Sequence, residues 1–143
     1  MLNKKLKKIF LVLVAVLFLI FIFQNKNNGA EKKLFNLEKI EITRTSAEQA
    51  RGLSGRASLP ENAGMLFSYS TNARPAFWMK EMNFAIDIIW LDENWRVVGW
   101  EKNISPDTYP QTFSPNQAIR YVLEVNAGFV DKHQIKLGEK AYN

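Results

Sequence analysis

The amino-acid sequence predicts a mostly β domain of the α+β class, compact, antiparallel and barrel-like, with two short helices. Segments with a strand pattern outnumber helical ones by about six or seven to two. Turn-forming residues separate these segments, and no β-α-β alternation indicates a parallel sheet. Strands of this number and spacing are typical of small closed antiparallel folds. A membrane helix or signal sequence precedes the domain.

The N-terminal segment, residues 1–24, is basic at its start and then apolar. Four lysines precede Ile9–Phe23, which is apolar without interruption. As a helix, this run would be about 22 Å long. That is shorter than a hydrocarbon core of about 30 Å, and the segment fits both an uncleaved anchor and a cleaved signal peptide. Residues 25–33 form a polar tether, and residues 34–143 are predicted to form one folded domain.

The lysines at the N-terminal end indicate where the domain is delivered. Basic residues keep the adjacent end of an apolar segment in the cytoplasm. We therefore expect the domain to be exported across, or anchored in, the cytoplasmic membrane. It would then lie on the extracytoplasmic side, in the periplasm or at the cell exterior.

Charge and composition exclude several classes of function. The formal net charge is +5, and the lysines of residues 1–30 account for all of it. A domain with balanced charge lacks the basic surface that nucleic-acid binding needs, so we expect no nucleic-acid partner. The sequence has no cysteine and one histidine, His133. We therefore expect no metal site and no cofactor, and no thiol nucleophile is available.

The first half of the domain predicts strands around one helix. Alternation in Leu34–Thr43 indicates a strand that ends near Thr43. Thr45 and Glu48 have the spacing of a capping box, and Gly52 stands where such a helix would end. Two further strands are predicted at Gly64–Ser70 and Pro75–Lys80.

The second half predicts a hairpin, a long loop and a closing strand. Ile86–Leu91 and Arg96–Ile104 are strands joined by a turn at Asp92–Trp95. Proline-rich Ser105–Gln117 is a surface loop. The remaining predictions are a strand at Ile119–Asn126, a short helix at Ala127–Ile135 and a strand at Lys136–Ala141.

Two acidic residues in strand segments are candidates for a functional site. In Ile86–Leu91 the period of two places Ile86, Ile88 and Trp90 on one face and Asp87 on the other, among apolar neighbours. A buried carboxylate must be paired or hydrogen-bonded, so Asp87 either binds backbone N–H groups or lines a pocket. Its side-chain partners would be Lys80, Arg56 or Arg120. Glu124 lies among alternating apolar residues and has the same requirement.

Basic and aromatic residues supply the other candidates. Arg51 and Arg56 flank a glycine-containing turn after the predicted helix, and each either pairs with an internal carboxylate such as Glu124 or anchors a ligand. Trp78 and Lys80 share one face of their strand. Aromatic strand residues are usually part of a core, but tryptophans near lysine and carboxylates also suit a saccharide or peptide platform.

Five segments of the chain resemble a known family. They are RGLSGR, GMLF, FWMKEMNFAIDIIWLDENWRVV, NISP and RYVLEVNAGFVDKHQIKLG, in this order. Over Ile40–Ala141 the chain is similar to the bacterial and archaeal family known as domain of unknown function 192. The resemblance implies a small, barrel-like β fold with short helices behind a signal or anchor. It carries no established activity.

The resemblance also implies a set of recurrent polar positions. They correspond here to Arg51, Arg56, Lys80, Asp87, Asn103 and Glu124. Glu81 stands where the family often has asparagine, and Ala85 where it often has proline. These two departures weaken any inference about the geometry between Lys80 and Asp87.

Three functions from different classes fit these observations. The first is an envelope binding module that holds a small polar or glycan ligand. The second is a cofactor-free hydrolase that uses Asp87 and Glu124, which would place the two carboxylates roughly 5–9.5 Å apart in one cleft. The third is a protein–protein scaffold without chemistry. The candidate ligand-binding residues are Arg51, Arg56, Trp78, Lys80, Asp87, Asn103 and Glu124.

Overall fold

A computed structural model describes residues 34–142 as a five-stranded sheet, a two-stranded ribbon and two short helices. The sheet strands are β1 (Lys39–Thr43), β2 (Ala63–Ala73), β4 (Ile86–Leu91), β5 (Val97–Ile104) and β7 (Ile119–Asn126), and the ribbon strands are β3 (Phe77–Trp78) and β6 (Thr112–Phe113). The helices are α1 (Ser46–Arg51) and α2 (Phe129–Lys132), and a 3-10 turn spans Pro106–Thr108. The strand order in the sheet is β1-β2-β7-β4-β5.

The prediction of a mostly β domain with two short helices is confirmed, but the sheet is open and mixed, so the predicted barrel-like closure is wrong. β1 and β5 are the two edges of the sheet, and β1 pairs with β2 in parallel. The other neighbouring pairs are antiparallel. A parallel pair needs a crossover of a dozen or more residues that usually contains a helix. Residues 44–62, which include α1, provide this crossover.

The local elements follow the sequence closely. The β4–β5 hairpin, β7 and α1 lie where the sequence predicts them. In the capping box, the Thr45 hydroxyl accepts a hydrogen bond from Glu48 N–H (3.1 Å), and the Glu48 carboxylate accepts one from Thr45 N–H (2.9 Å). The predicted strand at Pro75–Lys80 shortens to β3. The predicted closing strand at Lys136–Ala141 is reduced to an isolated bridge between Arg96 and Lys140.

Apolar side chains cover both faces of the sheet. On the first face β4 contributes Ile86, Ile88 and Trp90, which pack with β2, β7 and the segment after β3. On the second face Ile89 and Leu91 pack with α2 and both ends of the described chain. All six residues of β4 are buried. The central pair of strands β7 and β4 is therefore enclosed from both sides, and any polar side chain on it must find its partners inside the protein.

The predicted membrane segment, residues 1–24, and the tether, residues 25–33, lie outside the described residues. Within residues 34–142, none of the helices has the length and apolar character needed to cross a bilayer.

Candidate functional site

Asp87 and Glu124 lie on opposite faces of the sheet. In the antiparallel pairing of β4 with β7, Asp87 stands opposite Val125, and Ile88 stands opposite Glu124. Directly opposed residues project to the same face, and consecutive residues project to opposite faces. Asp87 therefore shares the second face with Val125, and Glu124 shares the first with Ile88. The two carboxylates do not meet in one cleft, so the predicted hydrolytic pair does not form.

Among the described residues, the hydrogen-bond partners of the Asp87 carboxylate are all backbone N–H groups. The carboxylate is fully buried, and its oxygens accept hydrogen bonds from the N–H groups of Asn103 (2.7 Å), Gly128 (3.2 Å) and Val130 (2.9 Å). These donors belong to β5 and to the start of α2. The predicted partners Lys80, Arg56 and Arg120 are not used. Asp87 thus connects β4, β5 and α2. Of the two predicted roles of Asp87, the structure has the binding of backbone N–H groups and not the lining of a pocket.

Glu124 lies at the floor of a cleft on the first face, which we call the Glu124 cleft. Its walls come from the end of α1 and the following turn, from β2 and from β3. The cleft encloses about 100 Å³ of space, enough for a few water molecules or one small polar group. Its main lining residues are Arg51, Gly52, Tyr69, Phe77, Trp78 and Glu124.

The Glu124 carboxyl group is buried and incompletely hydrogen-bonded. Glu124 is 6% exposed, and its Oε2 atom has no hydrogen-bond partner among the described residues. Burial raises the pKa of Glu124 from 4.5 to about 8, although the positive charge of Arg56 acts in the opposite direction. Glu124 is therefore a neutral carboxylic acid at pH 7, with one O–H to donate. Burial also raises the pKa of Tyr69, to about 12, with a further contribution from Glu124.

Gly52 forms the wall beside this carboxyl group. It has φ +51° and ψ −130°, a conformation that side-chain-bearing residues rarely adopt. A Cβ atom at this position would lie 3.5 Å from Glu124 Oε2 and 3.4 Å from the Phe67 ring. The glycine lets the backbone pass close to Oε2 as α1 ends, which brings Arg51 to the cleft.

The two arginines have different surroundings. Arg56 donates two hydrogen bonds to the Glu41 carboxylate, at 2.9 and 2.8 Å. These hydrogen bonds lower the pKa of Glu41 below its ordinary value. Arg56 lines a second hollow of about 260 Å³, which lies between β1 and α1 and also touches Arg51. Arg51 itself is exposed and forms no ion pair with any residue of the 34–142 segment.

Lys80 and Asn103 lie away from the cleft. The Lys80 side chain is exposed, and its backbone C=O accepts a hydrogen bond from the Ser54 hydroxyl (2.8 Å). Asn103 is exposed, with φ +53°, and its N–H is one of the Asp87 donors. Of the seven candidate residues, the structure brings Arg51, Trp78 and Glu124 to the cleft and places Arg56 in the adjoining hollow.

The four tryptophans do not form a shared platform. Trp90 is buried in the core of the first face. Trp95 stacks on Tyr121 with ring centroids 3.7 Å apart, and Trp95 and Trp100 both pack against the core of the second face. Trp78 is 47% exposed and lines the Glu124 cleft. One indole ring therefore remains available to a ligand there.

Sequence reasoning missed Tyr69 and Phe77 as cleft residues, and it interpreted Gly52 only as a helix end. A signal for Tyr69 is present, since alternation along β2 places it on the same face as Met65 and Phe67. Phe77 is 9% exposed and belongs to the core of the first face as well as to the cleft wall. Within residues 34–142, no cluster of three or more histidine, aspartate or glutamate side chains is arranged to hold a metal ion.

Comparison with known proteins places the chain in a family. The family model DUF192, described as "Uncharacterized ACR", matches residues 23–141. The chain belongs to the DUF192 family. No curated protein matches it.

Two solved structures share the fold of this DUF192 chain. A protein of unknown function from Novosphingobium aromaticivorans DSM 12444 is 34% identical, with a TM-score of 0.67 over 71% of each chain. A protein from Sinorhizobium meliloti 1021, described as a proposed transcription regulator, is 23% identical. Its TM-score is also 0.67, over 71% of this chain and 78% of that one.

We predict that Asp87→Asn destabilises the DUF192 domain by about 2–4 kcal/mol. The amide would direct N–H donors at backbone N–H groups, and a hydrogen bond to a buried charged group contributes about 1.5–3 kcal/mol. Urea denaturation measures the change. Asp107→Asn is the matched control, because Asp107 is exposed and its substitution should change stability by less than about 0.5 kcal/mol. Equal effects of the two substitutions would contradict the structural role of Asp87.

We predict that the free energy of unfolding falls as the pH rises from about 5 to 8. In this window Glu124 stays protonated in the folded chain but ionises near pH 4.5 in the unfolded chain, so the folded state binds more protons. The contribution is complete below pH 4.5, is lost progressively up to about pH 8 and then stays constant. Its total is on the order of a few kcal/mol.

Urea denaturation of Glu124→Gln at the same pH values tests this expectation. The glutamine variant should show a flatter profile, because it has no proton to lose. Glu48→Gln is the control, since glutamine also fits a capping box and the Glu48 pKa lies below its ordinary value owing to hydrogen bonds from Arg44 and Thr45 N–H. A Glu124→Gln profile as steep as the wild-type profile would contradict the expectation.

Proposed function

We propose that this DUF192 chain is a binding module for a small polar or saccharide-like ligand, which it holds in the Glu124 cleft. The observation that carries this proposal is the Glu124 Oε2 atom, which is buried at the floor of the cleft and has no hydrogen-bond partner within residues 34–142. Buried polar atoms are nearly always partnered in native proteins. A ligand atom that accepts the Glu124 proton would complete the hydrogen bonding of this group.

The rim of the cleft supports a ligand with both a polar and a flat apolar side. Trp78 leaves about half of its surface exposed, and Arg51 lies at the end of α1. Indole rings bind the C–H faces of sugar rings, and guanidinium groups donate to oxygen atoms. The cleft volume of about 100 Å³ suits one substituent of a sugar, with the ring resting on Trp78.

We also propose that the domain acts on the extracytoplasmic side of the cytoplasmic membrane. The support is the lysine-rich start and the apolar run of residues 1–24, which fit a signal or an anchor. A ligand from the cell envelope would then reach the cleft directly. The scaffold alternative stays a prediction.

We predict that the full-length protein binds simple saccharides through Trp78. Isothermal titration calorimetry against a panel of mono- and disaccharides measures this binding. The full-length protein is kept in a polyoxyethylene detergent, because a detergent with a sugar headgroup would itself be a saccharide in the titration. Trp78→Ala should weaken the affinity about fivefold, because stacking on an aromatic ring contributes about 1 kcal/mol.

Lys80→Ala is the matched control for this experiment. Lys80 follows the same short strand and is exposed, but it does not line the cleft. The Lys80→Ala substitution should therefore leave the saccharide affinity unchanged. If no saccharide or other small polar compound in the panel binds, the proposal is wrong and the scaffold alternative gains support.

We predict that alkaline phosphatase fused after residue 143 is active in bacterial cells. This enzyme folds only outside the cytoplasm, where its disulfides form. Deletion of residues 1–24 should abolish the activity while the fusion protein is still made. Equal activity with and without these residues would contradict export.

A further inference from the structure

The charges around the Glu124 cleft indicate which class of ligand it binds. Among its lining residues, Arg51 is the one cation, and Glu124 is the one carboxyl group. Arg51 is exposed and forms no ion pair with any part of the chain that the structure describes. A guanidinium group with free donors matches the two oxygens of a carboxylate. The mouth of the cleft is therefore suited to an anion.

The floor of the cleft is suited to the same ligand. Glu124 is buried, and none of the described residues forms a hydrogen bond with its Oε2 atom. A buried carboxylate without donors is strongly disfavoured relative to the neutral acid. The neutral acid has an O–H group to donate. It therefore binds an acceptor atom, and an anionic oxygen is the strongest acceptor.

The described elements that pack around Glu124 place no anionic side chain in the cleft. The turn after α1 contributes Arg56, which is already paired with Glu41. β2 contributes Tyr69, whose pKa of about 12 keeps it neutral, and β4 contributes apolar Ile88 opposite Glu124. The Glu48 carboxylate of α1 accepts hydrogen bonds from its own capping box and faces the neighbouring hollow. With Glu124 protonated, the lining carries one positive charge.

We propose that the Glu124 cleft binds the carboxylate group of a small acidic saccharide. Arg51 pairs with this carboxylate at the mouth, and the Glu124 acid donates a hydrogen bond to one of its oxygens from the floor. The space of about 100 Å³ accommodates a carboxylate with its attached carbon, and the sugar ring rests on Trp78. This inference rests on the proposed function of the cleft and adds the class of its ligand.

D-Glucuronate and D-glucose form a matched pair of probes. They share a pyranose ring and differ at one carbon, which carries a carboxylate in the first and a hydroxymethyl group in the second. Calorimetry with the full-length protein at pH 6 should give at least about tenfold tighter binding of glucuronate. Glucose 6-phosphate tests the other common anion and should bind more weakly than glucuronate, because a tetrahedral phosphate group with three terminal oxygens needs more donors than Arg51 and Glu124 supply.

The pH profile separates this mechanism from simple attraction to Arg51. Glucuronate affinity should be constant from pH 6 to about 7.5. It should then fall towards about tenfold per pH unit above pH 8, as Glu124 ionises and repels the ligand. Glucose affinity should change much less. Tyr69, whose pKa is about 12, stays neutral in this range, so the fall reports on Glu124.

Two pairs of variants complete the test. Glu124→Gln should weaken glucuronate binding at pH 6, because an amide N–H is a weaker donor than the acid O–H, and it should lose the fall at high pH, because the amide does not ionise. Glu48→Gln should keep the wild-type profile. Arg51→Gln, a change at an exposed residue, should abolish the preference for glucuronate over glucose, and Lys80→Gln should preserve it.

The outcomes distinguish this inference from the proposed function. Equal or tighter binding of glucose overturns the inference and leaves the proposed function in place. Tighter binding of glucose 6-phosphate than of glucuronate overturns the assignment of a carboxylate ligand. A glucuronate affinity that falls at high pH equally in wild type and Glu124→Gln overturns the role of Glu124. Failure of every saccharide to bind overturns both proposals.

Discussion

The enclosure of β7 and β4 from both faces is the constraint on which the rest of this structure depends. These strands occupy the centre of the sheet, and apolar clusters cover them on each side. A carboxyl group on either strand cannot reach bulk water and must be satisfied inside the protein. Asp87 and Glu124 are the two carboxyl groups in this position. Asp87 meets this requirement, whereas the Glu124 Oε2 atom does not meet it within residues 34–142, and that difference separates the structural residue from the candidate site.

Asp87 is satisfied by the fold itself. Its three backbone donors come from β5 and from the start of α2, so the carboxylate joins elements that are distant in the sequence. Glu124 lies on the other face, beside a glycine with φ +51° at the end of α1. The part of the fold that the structure describes surrounds Glu124 closely but gives its Oε2 atom no hydrogen-bond donor. The sheet therefore holds one carboxyl group as a structural tie and leaves the other with an unfilled hydrogen-bonding position.

Local patterns in the sequence predict much of the fold but little of the cleft. Period-two alternation in β4 correctly separates Ile88 from Asp87, and the spacing of Thr45, Glu48 and Gly52 correctly locates α1. The parallel pairing of β1 with β2 was missed, because it depends on how the crossover packs rather than on any single segment. The opposite orientations of Asp87 and Glu124 depend on the register between β4 and β7, which are far apart along the chain.

The candidate residues show the same limit. Arg51, Trp78 and Glu124 come from three separate segments, and their meeting is a consequence of tertiary packing that no local pattern encodes. Asn103 and Lys80 looked equivalent to them in the sequence, yet Asn103 serves Asp87 through its backbone and Lys80 points to solvent. A polar residue in an apolar segment can therefore be recognised in a sequence, but the group with which it interacts in the folded protein cannot.

The unfilled position of Glu124 argues for a ligand rather than for a structural role. A glutamate that served the fold would have donors, as Asp87 has, or its charge would be paired, as the charges of Arg56 and Glu41 are. An apolar side chain of similar volume at this position would avoid the cost of burying a polar group without a partner. Binding sites commonly retain groups that lower stability, because such groups are completed only when the ligand is present. Arg51, Trp78 and Glu124 line one cleft, and a ligand with an anionic oxygen and a flat apolar face would contact all three.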